Sequence, residues 1–141
     1  MQISNLEYVK SALRTDGTTL ALYDGKRLIT SSKRGVAPLI ELLDSKEDIS
    51  SFSAADKVIG RGAAFLYVLL GIKEIHTDVI SKSALELLTR YGTFVAYEHL
   101  VPHIINRAGD GICPIESAVM PVTEPSEALI IIKEKLKNLS K

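Results

Sequence analysis

Tryptophan is absent from the 141 residues, and the three phenylalanines and five tyrosines are scattered. Stacking on single-stranded nucleic acid needs clustered aromatic faces, so that class of partner is not expected. Neither sign of charge is in excess, because 17 lysines and arginines balance 17 aspartates and glutamates. No global field draws the chain to a phosphate backbone or to a basic partner. One cysteine, Cys113, allows neither an internal disulfide nor a multi-cysteine zinc site. Long apolar runs are missing too. The longest, residues 63–71, falls far short of a bilayer span. The opening residues lack the basic stretch and apolar run of a signal peptide. A cytoplasmic location, with no membrane partner and no cofactor, is the expectation.

What is present suffices for one domain over residues 1–141, with an N-terminal helical segment at 1–17 and a core at 18–136. Ile3, Leu6, Val9 and Leu13 recur at helical spacing, with Ser4 or Asn5 as cap. Two β-rich runs, 18–23 and 26–31, flank Asp24 and Gly25, the signature of a hairpin with a type I′ turn. A short helix is predicted over 35–43, with Pro38 in its first turn. Residues 63–70 are apolar almost all round and predict a buried central helix closed by Gly71. Residues 73–80 read as a strand and 84–91 as a helix capped by Ser81 or Ser83. A strand at 93–97, a loop at 98–111, one or two helical turns at 114–120 and a last helix ending near 139 complete the chain. The order implies a mixed sheet of at least four strands with helices on both faces.

The chemistry-bearing residues gather in the loop around Cys113. A nucleophilic thiol needs a lowered pKa, from a helix start or a nearby cation. Pro114 can open a helix there, and His103 or Glu116 would serve as base. A small buried hydrophobe is the competing reading of a lone cysteine. Gly109, Asp110 and Gly111 leave backbone amides uncovered and, with Asn106 and Arg107, could hold an anion; a tight turn with a salt bridge is the alternative. Lys57, Arg61 and Gly62 precede the apolar helix, whose start favours anions. Close packing of that helix start is the alternative for Gly60, Arg61 and Gly62. His76 is expected to face solvent or cap a packing layer. His99 and His103 stand four apart with Pro102 between them, and no metal site is expected.

Several stretches are similar to a small family of uncharacterised prokaryotic proteins, a domain of unknown function. They are LYDG at 22–25, GVAPLIELL at 35–43, ADKVIGRGAA at 55–64, VIS at 79–81, ALELL at 84–88, VPHIINR at 101–107 and CPIE at 113–116. The resemblance implies the cytidine deaminase-like superfamily and its three-layer α/β/α fold, here with a mixed sheet of about four to five strands. Zinc deaminases of that superfamily place His or Cys, then Glu, at the start of the first core helix, and Pro-Cys-x-x-Cys at the second. The corresponding starts here are GRGAA at 60–64 and SKSA at 81–84, with none of those ligands. Zinc-dependent deamination is therefore not expected.

Whether the chain is an enzyme stays open at this point. One expectation is a small anionic or nucleotide-like ligand bound near Cys113. The alternatives are a non-catalytic accessory or homo-oligomeric interaction module, and a zinc-independent enzyme with Cys113 as nucleophile.

Overall fold

A computed structural model describes residues 3–139; the first two and last two positions of the expected 1–141 domain lie outside the described residues. The chain runs α1 (Asn5–Leu13), β1 (Leu20–Tyr23), β2 (Leu28–Ser31), α2 (Ala37–Ser45), β3 (Ser53–Ile59), α3 (Arg61–Leu70), β4 (Glu74–Ser81), α4 (Lys82–Arg90), β5 (Phe94–Val101), α5 (Pro114–Val119) and α6 (Pro125–Leu139). Five strands form one sheet in the order β2-β1-β3-β4-β5. β1 is antiparallel to both β2 and β3, whereas β3, β4 and β5 are parallel. This is an α/β fold with a mixed sheet.

Neighbouring side chains on β1 and β3 divide between the two faces, as strand geometry requires. Leu20, Leu22 and Ala54 join the large core under α2–α6, while Ala21 and Ala55 meet Val9 and Leu13 of α1. α1 thus covers one face alone. Its start is capped by Ser4, whose hydroxyl accepts from the Glu7 amide at 3.1 Å.

The hairpin forms where Asp24 and Gly25 predict it, with a different turn. Tyr23 pairs with Leu28, so four residues connect the strands. The Asp24 carboxylate accepts from the Lys26 and Arg27 amides, and those bonds hold the wider loop. β5 runs on to Val101, so the first residues of the predicted 98–111 loop belong to the sheet.

β3 is a central strand that periodicity does not announce. Its Ala54 and Ala55 are both fully buried, on opposite faces. A strand covered on both faces loses its polar–apolar alternation. Ala54 and Ile59 also pack in the same core although five residues apart, as do Ile75 and Ile80 of β4, so strict alternation fails along both strands.

α3 is the buried helix that its sequence predicts, with Phe65, Leu66 and Tyr67 fully enclosed. Gly71 closes it in the left-handed conformation at φ 76°. Gly62 permits close approach to α5, since a β-carbon there would lie 2.5 Å from Cγ2 of Ile115. Gly62→Ala is expected to lower stability by about 1–3 kcal/mol through overpacking, measurable by urea denaturation.

Candidate functional site

The starts of α3 and α4 lie close together and are joined by a residue from a third helix. Glu116, on α5, is 1% exposed. Its Oε1 accepts from the Arg61 amide at 3.1 Å and from the hydroxyl of Ser81, the α4 N-cap. Its Oε2 accepts from the Ile104 amide. A carboxylate at two helix starts is electrostatically well placed, because unpaired amides there carry partial positive charge. Three donors occupy it, so the geometry gives Glu116 a structural tie rather than a free base.

Arg61 is likewise engaged. Its guanidinium donates to the Val119 carbonyl at 2.9 Å, the Val122 carbonyl at 2.5 Å and the Ser83 hydroxyl at 2.8 Å. It also lies over the Phe65 ring, 4.9 Å from the centroid. Those carbonyls end α5 and begin its link to α6, so Arg61 clamps that end onto α3 and α4. Its cation is directed at protein groups, not into a cleft.

The loop around Cys113 closes on itself. Ile105 bridges to Ile112, and the Asn106 side chain accepts from the Gly109 and Asp110 amides at 2.9 and 3.2 Å. Its Nδ2 donates to Asp110 Oδ1. Gly109 takes φ 77°, which the turn requires. The Gly109 and Asp110 amides expected to cradle an anion are therefore used inside the turn, and Gly109, Asp110 and Gly111 stand apart from the cleft walls. Cys113 is half-buried, and its amide donates to the Ile104 carbonyl at 2.8 Å. Among the described residues no hydrogen bond joins its thiol to His103 or Glu116. His103 is half-buried after β5, with Nδ1 unpartnered, and does not line the cleft. His99 is exposed on β5.

A cleft of about 1210 Å³ opens beside the C-terminal half of β3. The β1–β3 ladder ends where Leu20 pairs with Asp56; one more bond runs from the Lys57 amide to the Thr19 carbonyl at 3.2 Å, and past Lys57 β3 has no partner on the β1 side among the described residues. The walls include residues 17–20, residues 32–39, Asp56–Val58, Gly60, Gly62, Ala63, residues 104–108, Cys113–Glu116, Leu136 and Leu139. Of the residues expected to bind an anion, Lys57, Gly62, Asn106 and Arg107 are brought together here. Arg34, which the sequence reading did not single out, joins them. Arg34, Lys57 and Arg107 are exposed and form no salt bridge among the described residues, whereas Lys33 pairs with Glu41. The start of α2 contributes to the wall, and no side chain caps it.

Asp56 is the other unforeseen group. Burial pushes its carboxyl up to about 7, although the Tyr67 hydroxyl donates to Oδ2 at 2.6 Å and opposes the shift. Tyr67 is itself held protonated, its pKa raised by burial and then by the neighbouring Asp56. An aspartate directly after the buried run Ser53–Ala55 was the available signal.

A family model described as TM1506, a domain of unknown function (DUF1893), matches residues 8–136. The chain belongs to the DUF1893 family. A crystal structure of a DUF1893 family protein (TM1506) from Thermotoga maritima is similar, with a TM-score of 0.86 and 28% identity. The match covers 96% of this chain and 92% of that one. No curated protein matches the chain. The family assignment thus extends over all five strands and leaves the activity to be argued from the site. Among the described residues no helix is long and apolar enough to cross a membrane.

Proposed function

We propose that this DUF1893 domain binds a small anionic, nucleotide-like ligand in the cleft beside β3. The observation that carries the reading is a cleft of about 1210 Å³ with Arg34, Lys57 and Arg107 unpaired in its walls. Apolar Val36, Val58, Ala63 and Ile115 line the same space. Ligand pockets typically measure roughly 300–1,000 Å³ and combine an apolar lining with a few polar anchors. The position, outside the carboxyl end of a parallel strand, is where open α/β sheets bind ligands.

The finer fold reading is a deaminase-like scaffold that works without zinc. Its support is the order of a hairpin followed by β3-α3-β4-α4-β5, and the place of Glu116. Deaminases of that fold carry their metal ligands at the two core helix starts. Here Glu116 ties those starts together, which leaves the ligand to the neighbouring cleft. If chemistry occurs there, the proton-transfer group is Asp56, whose pKa lies near neutrality, with Cys113 as the thiol in the same walls.

A second reading, assembly with another copy, is favoured by the β5 edge. Phe94, Tyr97 and Leu100 are 59%, 43% and 43% exposed there. Mass measurement in solution decides it: a strict monomer at high concentration removes the reading.

Thermal shift tests the cleft. Cytidine 5′-monophosphate is expected to raise the melting temperature more than cytidine at equal concentration. Lys57→Ala with Arg107→Ala is expected to weaken binding by roughly tenfold or more, since bonds to charged groups contribute about 1.5–3 kcal/mol. No response to phosphate or nucleotide, or an equal response in the double variant, would overturn the assignment.

A further inference from the structure

The opposite face of the sheet holds a second constellation. His76 on β4 lies in register with Ala55 of β3 and Ala96 of β5, and Ala55 packs under α1. Of the two expectations for His76, facing solvent or capping a packing layer, the first fails: it is 4% exposed. Its Nε2 is buried without a hydrogen-bond partner. Leaving such an atom unpaired costs about 1–3 kcal/mol. Asp78 Oδ1 lies 3.5 Å from this Nε2. Glu98 of β5 completes the group, and one ligand atom from each of the three residues lies within 4.8 Å of the others.

We propose that His76, Asp78 and Glu98 form a site for a divalent first-row transition-metal ion. Three atoms no more than 4.8 Å apart leave an ion between them at most about 2.8 Å from each, against the roughly 2.0–2.2 Å of zinc bonds to nitrogen and oxygen. Small side-chain rotations close that gap, and Asp78 and Glu98 are free to make them, with side chains 37% and 44% exposed. Two carboxylates balance a dication. One imidazole with two carboxylates suits Zn²⁺ or Mn²⁺ and disfavours Cu⁺, which selects sulfur. The exposed side leaves room for water as a further ligand. Arg14 is the competitor: its Nη2 is 3.5 Å from Glu98 Oε1. That side chain is 65% exposed, and an exposed pair of this kind is easily exchanged. The ion would join β4 to the edge strand β5. The site lies across the sheet from the cleft and stands independently of it.

The test is calorimetric titration of untagged protein with Zn²⁺, alongside thermal shift. Wild type is expected to bind one ion per chain and to melt at a higher temperature when loaded. Glu98→Gln, an exposed change that leaves the core intact, is expected to weaken binding at least about tenfold, and His76→Gln to abolish the single saturable site. His99→Gln is expected to bind as wild type does. Absence of one-to-one binding in wild type, or equal affinity in Glu98→Gln and wild type, would overturn the proposal.

Discussion

Glu116→Ala is expected to lower stability by about 3–5 kcal/mol, the largest effect of any single change considered. The carboxylate is 1% exposed and receives the Arg61 amide, the Ile104 amide and the Ser81 hydroxyl. Truncation strands one buried donor and two partly buried ones and opens a cavity between α3, α4 and α5. Each unpaired donor costs about 1–3 kcal/mol, moderated where water enters. For a domain of this size the melting temperature should drop by roughly 10–15 °C. Glu116→Gln keeps the volume but turns an amide donor toward one of the three donors, so a loss of about 2 kcal/mol is expected. Urea denaturation followed by circular dichroism measures both. A loss below about 1 kcal/mol for alanine would show that the helix starts do not depend on the carboxylate.

The second large effect is a pH dependence carried by Asp56. Its ordinary value is 3.8 and burial raises it to about 7 in the folded chain. The folded state therefore holds a proton that the unfolded state releases above pH 4. That contribution is fully present below about pH 4 and is lost as pH rises through 7. Its full size is about 4 kcal/mol, at 1.36 kcal/mol per pK unit. Asp56→Asn should remove it, because the amide oxygen can still accept from Tyr67 and carries no charge. The variant should gain on wild type between pH 5 and pH 8 by roughly 10 °C in melting temperature. The difference between the two proteins isolates Asp56 from the other titrating groups. A constant offset across that range would contradict the burial of an ionisable carboxyl beneath the cleft.

The local signals in the sequence carried most of the elements. Ser4 and Ser81 cap helices, Gly71 ends one, and Asp24 with Gly25 turns the hairpin. β3 escaped because its first half is buried on both faces while Asp56, Lys57 and Val58 follow half-buried or exposed, so no period marks it. The loop at 106–116 was legible as special, but its internal bonds were not. Asn106 consumes the amides that glycine content alone made look available.

The candidate site was less legible for a physical reason. The donors to Glu116 lie 55, 35 and 12 residues away in the chain, and Arg61 reaches carbonyls 58 and 61 residues on. Charge at 61 and 116 is visible in the sequence, but whether it faces a ligand or another helix is decided by packing. Arg34 and Asp56 became site residues only because the β1–β3 pairing does not extend past Lys57.

The binding role of the cleft is tested most directly by amide chemical-shift mapping of the ¹⁵N-labelled domain during titration with cytidine 5′-monophosphate. The expected result is saturable perturbation of the amides of Arg34, Lys57 and Arg107 and of the start of α2, with α1 unaffected. Perturbations confined to other surfaces, or none at millimolar ligand, would contradict it.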